Sequence, residues 1–483
     1  MLPFNFAQFI KPFIFFVFVA LIVLLPSLHF MPGYLTHHDG HRLLMLLLLV
    51  LTMLYSLTSK QNYCNKLVIN AKIRYGFFAL LVLACISSYL SKAPRHAIIE
   101  MSIFAGLSYL ALFVAEQFQQ QGKAFTKQLV SALWVGVLLY LFAFYVAYIT
   151  AGVFKTPLIW PRPLLGFNNP RFFNQYQLWC IGLICLPMLA EDVSTNTKRW
   201  LSVALTLWWV LLFYSASRGV LLAWLAASVI TLAFYKKSAW PFLRLQISTL
   251  IAGLVSFFAL FKLIPILIGT QLVTGDVLRD TTSDRLELWF KAFHLTVENP
   301  IFGVGPMNFP WYNLTSFHPH NTILQLSSEW GIPATLIIIG IVGYGAKNWL
   351  KKFNLTPLKT KSNYDLNLSI ILFFTVVTNG IYSMVDGVIV MPMSQVLMLT
   401  VIGLMIGQYC SANNQELVET NKLNILKIKL GFRPIFAAVV IVSLVWSNLP
   451  EIRQGLSGYK LGFSTGAGKI KPRIWINIRS APS

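Results

Sequence analysis

The stretch FHPHNTILQLSSEWGIP, residues 317–333, places two imidazoles directly before an apolar run. Asn321 is a residue type that caps helices, so a helix is expected to begin after it, with His320 at its mouth. A lone histidine in such a place is usually only an interfacial hydrogen-bonding group. An imidazole that faces a bound hydroxyl compound can also accept its proton, which makes His320 a candidate general base. His318 is a weaker candidate, for a supporting or structural role.

Two arginines supply the charge that such chemistry needs. Arg218, in YSASRGVLLAWLAA, opens an apolar segment, where a cation is costly unless it faces a cavity or an anion. Arg285, in TSDRLELW, precedes a helix with aromatic residues. The alternatives are a snorkelling side chain for Arg218 and an ordinary solvated helix charge for Arg285. With His320, the two guanidiniums suit attack on an activated phosphate ester, because they can hold a negative leaving group.

Two further segments add candidate substrate contacts. The amides and guanidiniums of WPRPLLGFNNPRFFNQYQLW suit sugar hydroxyls or phosphate, although its Pro and Asn residues could simply shape a turn. The aspartate of IYSMVDGVIV could contact an acceptor or pair with an arginine, or it could belong to an ordinary turn. The candidate substrate-binding residues are Arg162, Arg171, Asn174, Gln175, His318, Asn321 and Asp386.

The motifs predict neither a cofactor nor a metal. The chain lacks a P-loop, a dinucleotide fingerprint and the HExxH and HxxEH spacings of zinc enzymes. A cation held by His318, His320 and acidic loop residues is disfavoured by the basic balance of the loop. The 5 cysteines are scattered and show neither metal spacing nor a disulfide framework.

Composition identifies the elements that must position these residues. Of 483 residues, 56% are hydrophobic and 11% charged, and the mean hydropathy is +0.66, so polar surface is too scarce for a soluble globule. We expect an all-α polytopic membrane protein with about 12–13 transmembrane helices. The predicted spans are 12–32, 42–59, 74–92, 97–117, 128–151, 174–190, 199–215, 218–236, 241–268, 321–346, 364–385, 390–410 and 433–449.

The distribution of Lys and Arg predicts which loops lie on which side. With the N-terminus inside, roughly half of the 38 Lys and Arg residues fall in cytoplasmic loops, because cationic loops resist crossing the membrane. The net charge of +22 is therefore mainly a topology signal, and no nucleic-acid partner is expected.

The same topology predicts the domain organisation. Residues 1–450 form a single transmembrane domain that includes a large external loop, 269–320, and an amphipathic helix around LELWFKAFHLTVE lies at the membrane interface. An odd number of spans places the basic segment 451–483 outside as a short C-terminal tail, unless one span is miscounted.

Four segments together resemble the signature set of the O-antigen ligase superfamily. They are SRG at 217–219, the arginine followed by LELW, the turn ENPIFGVGPMNF, and HPHNTILQLSSEWGIP. The superfamily includes O-antigen ligases, repeat-unit polymerases and bacterial O-oligosaccharyltransferases. The resemblance is specific over roughly residues 160–410, and in the first five spans it rests on hydropathy alone. It implies a GT-C-type fold in the bacterial inner membrane, with a large periplasmic loop and an active site facing the periplasm.

The resemblance also implies a reaction. A membrane glycosyltransferase of this kind moves an oligosaccharide en bloc from undecaprenyl diphosphate to an acceptor hydroxyl. Arg218 and Arg285 would clamp the diphosphate, and His320 would be the general base of an inverting, metal-independent transfer. The glycines of GVGPMNF would shape the return of the loop to the membrane.

Several partners and functions stay open. Besides the lipid-linked donor and membrane lipids, the acceptor is a Ser or Thr of a pilin-like protein, a lipid A core sugar or, for a repeat-unit polymerase, another lipid-linked glycan. The segments GFNNPRFFNQYQLW and IYSMVDGVIVMPMSQVL resemble pilin-type transferases more than short ligases, which favours the protein acceptor. A flippase for the same glycan is the alternative of another class, but it would show repeated halves and mid-span cations.

Overall fold

The computed structural model describes residues 6–28, 30–31, 35–58, 71–161, 163–269, 272–273, 285–312, 316–353, 362–419 and 432–457. The helices are α1 (Phe6–Val19), α2 (His37–Thr58), α3 (Ala71–Leu90), α4 (Pro94–Gln121), α5 (Lys123–Val153), α6 (Pro170–Leu183), α7 (Leu186–Leu189), α8 (Thr195–Ser215), α9 (Arg218–Tyr235), α10 (Trp240–Phe258), α11 (Ile264–Ile268), α12 (Arg285–Glu298), α13 (Thr322–Phe353), α14 (Asn363–Tyr382), α15 (Pro392–Glu419) and α16 (Phe432–Ser457). Two short strands, β1 (Leu158–Ile159) and β2 (Leu272–Val273), pair in parallel.

Long apolar helices dominate the chain. Each of the thirteen predicted spans falls on one or more of them. Within the described ranges, 10 helical segments are long and apolar enough to cross a membrane. One of these, Arg218–Ile268, contains α9, α10 and α11, and the 3-10 turn Lys236–Ala239 separates α9 from α10. The prediction of an all-α polytopic membrane protein is confirmed.

Close helix packing builds the core. α4 lies in the middle of one half of the bundle, against α2, α15 and α16. Gly403 allows α15 to lie close to α4, because a Cβ at this position would lie 2.6 Å from the carbonyl oxygen of Ala111. In the other half, the rings of Tyr140, Phe173 and Trp208 pack together between α5, α6 and α8.

Contacts between helix ends define two faces of the bundle. On one face, Lys127 at the start of α5 lies 2.6 Å from a carboxylate oxygen of Asp192, before α8. On the other, Arg95 at the start of α4 donates a 2.8 Å hydrogen bond to the carbonyl of Ser447, near the end of α16. We call this second face the site face, because α9, α12 and α13 also begin there. Residues 458–483 of the predicted tail lie outside the described residues.

The end of the predicted external loop forms a compact unit, in which α12 packs against the first part of α13. Gly331 interrupts α13 with a φ of 83° and a ψ of 165°. The turn after α12 pairs with this break, since the N–H of Val304 donates a 2.8 Å hydrogen bond to the carbonyl of Ser328. A Cβ at Gly331 would lie 2.1 Å from the carbonyl oxygen of Ile301, so the break requires glycine.

The break divides α13 into a short first part and a long second part. The helix after Gly331 is about 33 Å long, which already matches a hydrocarbon core of about 30 Å. The whole helix Thr322–Phe353 is among the segments long and apolar enough to cross a membrane, in agreement with the span predicted from residue 321. Asn308 fixes the unit to the bundle, because its side-chain oxygen accepts a 2.9 Å hydrogen bond from the N–H of Ala93, directly before α4.

Candidate active site

The start of α13 is fastened to the loop that follows α14. Asn321 caps α13, as predicted, by accepting a 3.0 Å hydrogen bond from the N–H of Leu324. Its side-chain amide also donates to the carbonyl of Met384 at 3.1 Å. The N–H of Thr322 donates to the carbonyl of Ser383 at 3.0 Å. These bonds fix the position of the residue before the cap, His320, relative to the loop after α14.

His320 faces a buried carboxylate. Its Nδ1 atom lies 3.4 Å from Oδ1 of Asp386, which is only 2% exposed, whereas the imidazole is 16% exposed. His320 adopts a left-handed backbone conformation, with a φ of 55°. Such a conformation is uncommon for a residue with a side chain and persists where surrounding contacts hold it. The imidazole therefore has its Nδ1 atom towards Asp386 and remains partly exposed.

Three polar groups hold Asp386 in place. The hydroxyl of Tyr382 donates a 2.5 Å hydrogen bond to Oδ2, and the N–H of Gly387 donates to Oδ1 at 2.7 Å. Burial by itself raises the pKa of this carboxyl, but His320, Tyr382 and the Gly387 N–H together bring the pKa of Asp386 below its ordinary value. Asp386 is thus a carboxylate at neutral pH and can stabilise a protonated His320.

His318 packs beneath the same loop. Its side chain is buried, and its Nδ1 atom accepts a 3.2 Å hydrogen bond from the N–H of His320. A Cβ on Gly387 would lie 2.3 Å from Cε1 of the His318 ring. Only glycine at 387 therefore allows the ring of His318 to remain against the chain immediately after Asp386.

The arginines surround this pair from other elements. Arg218 is the first residue of α9 and is exposed, and its neighbour Gly219 lies against the ring of Tyr382. Arg285 is the first residue of α12 and is half-buried. Its Nε atom has no hydrogen-bond partner among the residues that the structure describes. Each arginine stands at the start of a helix on the site face.

Burial and the neighbouring charges shift the pKa of Arg285. Burial lowers its pKa, Arg171 lowers the pKa further, Asp386 acts in the opposite direction, and Arg218 adds a smaller lowering. Arg171, Arg218 and Arg285 thus bring three guanidiniums to the surroundings of one carboxylate. Such an excess of positive charge favours a bound anion.

Of the remaining predicted residues, Asn174 and Gln175 are buried in α6. Asn174 is buried, and its amide donates a 2.7 Å hydrogen bond to the hydroxyl of Ser215. Gln175 is fully buried, and neither of its side-chain polar atoms has a hydrogen-bond partner within the described ranges. Arg162 lies outside the described residues. Asn169 caps α6 by accepting from the N–H of Arg171 at 2.9 Å, which sets the start of that helix.

Sequence reasoning missed Arg42, which supports the Asp386 loop from below. Its side chain is 1% exposed and donates 2.7 Å hydrogen bonds to the carbonyl of Val390 and to the side-chain oxygen of Gln395. A signal was present, because α2 begins HHDGHR, and so many titratable residues at the start of an apolar span are unusual. The same turn also reaches the segment before α6, since the N–H of His38 donates to the side chain of Asn168 at 2.8 Å.

Taken together, the site combines a carboxylate-backed imidazole with guanidiniums at the surface. An imidazole supported in this way can take a proton from a hydroxyl group, and the guanidiniums can stabilise a departing phosphate or diphosphate. No group of three His, Cys, Asp or Glu side chains that could hold a metal ion occurs in the part of the chain that the structure describes.

Residues 201–339 match the family model described as O-antigen ligase. No curated protein matches the chain. The family consists of membrane glycosyltransferases of the O-antigen ligase and polymerase type, whose donors are lipid-linked oligosaccharides. The matched segment contains Arg218, Arg285 and His320, the residues on which the predicted resemblance rests. Residues 201–339 are thus similar to the O-antigen ligase family, which supports the predicted resemblance to the O-antigen ligase superfamily.

Proposed function

We propose that the protein transfers an oligosaccharide en bloc from undecaprenyl diphosphate to an acceptor hydroxyl at its site face. The observation that carries the proposal is the pairing of His320 with the buried carboxylate of Asp386, 3.4 Å apart, beside the guanidiniums of Arg218 and Arg285. In the bacterial inner membrane this face would be periplasmic.

The acceptor is activated at His320. With Nδ1 directed at Asp386, the neutral imidazole carries its proton on that side and presents a lone pair on Nε2. Nε2 takes the proton of the acceptor hydroxyl as the oxygen attacks the anomeric carbon. Asp386 then faces an imidazolium and stabilises it by charge.

The arginines act on the leaving group. As the new glycosidic bond forms, the bond between the anomeric carbon and the diphosphate oxygen breaks, and both electrons leave with the diphosphate. Arg218 and Arg285 stabilise the charge that develops there, and Arg171 adds to the positive surroundings. A single attack from the side opposite to the leaving group inverts the anomeric configuration. These residues provide the base and the charge stabilisation without a metal ion.

The acceptor we favour is a Ser or Thr of a pilin-like protein, on the grounds of the two pilin-type segments in the sequence. A lipid A core sugar is the second choice, and a growing lipid-linked glycan would make the protein a repeat-unit polymerase. All three acceptors offer the same chemical group, a hydroxyl, to His320.

The test is transfer by the purified protein, in the presence of a metal chelator. The donor is an undecaprenyl-diphosphate-linked oligosaccharide, and the acceptors are a pilin-like protein, lipid A core and a second lipid-linked glycan, each in its own reaction. We expect one acceptor to gain glycan with inverted configuration, and His320→Ala and Arg218→Ala to reduce the rate by a factor of about 100 or more. Arg244→Ala, an exposed arginine of α10, is the matched control and keeps full activity.

Two outcomes would contradict the proposal. Unchanged transfer by His320→Ala would exclude its role as the base. Passage of labelled donor across proteoliposome membranes, without glycan on any acceptor, would instead make the arginine cluster a transport site.

A further inference from the structure

We propose that an exposed apolar stripe on α12 binds the isoprenoid chain of the donor and leads it from the arginine cluster to the bilayer. The stripe consists of Leu286, Phe290, Phe293 and Val297. This inference rests on the proposed function, because it concerns the lipid part of the same donor.

α12 has three faces. At 3.6 residues per turn, the buried residues Leu288, Ala292, Leu295 and Thr296 fall on one side, where α13 covers them. The exposed polar residues Glu287, Lys291, His294 and Glu298 fall on a second side. The stripe occupies the third side, and its side chains are 50%, 69%, 58% and 60% exposed in chain order.

This amount of exposed apolar surface is unusual for the position of the helix. α12 is not among the helices long and apolar enough to cross a membrane within the described ranges. It has 14 residues and packs on the first part of α13, on the site face. Contiguous apolar surface outside the spans marks a binding or membrane-contacting surface.

The two ends of the stripe identify its occupant. Leu286 follows Arg285 directly, so the stripe begins at the guanidinium proposed to hold the diphosphate. Its other end leads to Ile301, which is also exposed and packs against the break at Gly331. Beyond the break, Ile332 and Leu336 of α13 are exposed as well, so the apolar surface continues along a helix long and apolar enough to cross a membrane.

A polyisoprenyl diphosphate has the matching order of groups. Its charged diphosphate is joined directly to an apolar chain, so a chain leaving Arg285 must find apolar surface at once. On α12, α13 covers the buried face, and the polar face is an unfavourable contact for hydrocarbon. The stripe is therefore the face of α12 that can bind the isoprenoid chain. From Leu286 to Val297 the stripe is about 16 Å long. It would therefore take the isoprene units nearest to the diphosphate.

Photolabelling of the full-length protein in nanodiscs of phosphatidylethanolamine and phosphatidylglycerol tests this directly. The probe is a polyprenyl diphosphate with a diazirine in the isoprene unit next to the diphosphate. We expect label on residues 286–301, reduced about tenfold by Arg285→Ala or by excess unlabelled polyprenyl diphosphate, and unchanged by Lys291→Gln on the polar face. Two results would show that the stripe only contacts bilayer lipid. One is label spread over all the lipid-facing helices, and the other is labelling that neutral polyprenol reduces as much as polyprenyl diphosphate does.

Transfer kinetics give an independent readout. In the double variant Phe290→Ser/Phe293→Ser, we expect KM to rise about fivefold or more for a donor with the full-length chain. For a donor whose diphosphate carries a methyl group in place of the isoprenoid chain, and which therefore has no hydrocarbon to lie on the stripe, we expect KM to change less than about twofold. An equal loss with both donors would mean that the phenylalanines only anchor α12, and would overturn the inference.

The two experiments separate this inference from the proposed function. If the wild-type protein glycosylates none of the acceptors, the proposed function fails, but labelling of 286–301 still shows whether the stripe binds the lipid. If transfer occurs and labelling avoids the stripe, the proposed function stands and the inference fails.

Discussion

The guanidinium of Arg42 donates a 2.7 Å hydrogen bond to the backbone carbonyl of Val390, in the loop that carries Asp386. A second bond of 2.7 Å goes to Gln395, whose own amide donates to the carbonyl of Ile389 at 2.8 Å. A side chain from the second helix therefore fixes the loop that orients the candidate general base. Arg42 touches no reacting group in this arrangement, so we regard it as a positioning residue.

Replacing Arg42 tests that role. Arg42→Met removes both bonds, and we expect kcat to fall about tenfold to a hundredfold with KM nearly unchanged, because a small displacement of Asp386 and His320 impairs the chemical step more than binding. Arg42→Lys should recover only part of the rate, since one ammonium cannot reproduce the planar fork. Steady-state kinetics of the purified variants would measure this. An equal fall in both variants, together with loss of folded protein, would indicate a structural role alone.

The contact between His318 and Gly387 predicts a compensating pair. Gly387→Ala forces a Cβ into the ring of His318, and we expect a destabilisation of about 1–3 kcal/mol and a strong loss of transfer. In a His318→Ala background, Gly387→Ala should lower the free energy of unfolding much less. A double-mutant cycle of unfolding free energies would measure this difference. Gly340→Ala is the control, because nothing lies within 4 Å of a Cβ at that helical position. Equal costs in both backgrounds would contradict the contact.

Asp386 should make stability depend on acid pH. Its pKa is lowered in the folded protein, so it binds its proton less readily folded than unfolded. The stabilisation is therefore fully present above the ordinary carboxyl pKa of about 3.9 and is lost as the pH falls through the lowered value. Thermal unfolding at a series of pH values should give a gap between wild type and Asp386→Asn that is constant near neutrality and shrinks below about pH 4. A gap that widens in acid would contradict the assignment.

The cap of α13 allows stability and activity to be separated. Asn321→Ala should cost about 0.5–2 kcal/mol and should also reduce transfer, because the cap fixes His320 beside the Ser383–Met384 segment. Ser194, which caps α8 on the opposite face, is the matched control. Ser194→Ala should lose comparable stability in chemical unfolding and keep its specific activity. Comparable activity losses in both variants would remove the special role of Asn321.

Much of the fold could be predicted because it depends on local pattern. Apolar runs, the asymmetry of Lys and Arg and the cap at Asn321 all act within a few residues, so the positions of the helices and the beginning of α13 followed from the sequence. The break at Gly331 escaped prediction, because hydropathy is continuous through SEWGIP and the cause is a backbone contact with Ile301.

Only part of the site could be predicted from the sequence, because some of its contacts join residues far apart in the chain. Arg218, Arg285 and His320 were identifiable through residue type and neighbouring motif. The pairing of His320 with Asp386 depends on two loops from different helices, and the bonds of Arg42 join residues 348 and 353 positions apart. No local pattern contains such separations. The hydrogen bond from the Asn174 amide to Ser215 also crosses a helix interface that residue type alone does not predict.

The distance along the chain between Arg42 and Val390 has a consequence for biosynthesis. The two residues are 348 positions apart, so α2 enters the membrane long before its partner loop has been translated. Until then, the charged start of α2 must remain hydrated at the lipid headgroups. Burial of Arg42 therefore has to wait for the loop after α14, and a nascent or truncated chain that ends within α14 holds the arginines and His320 without the loop that aligns them. Under the proposed function, catalytic competence would then appear only after this loop has joined the bundle.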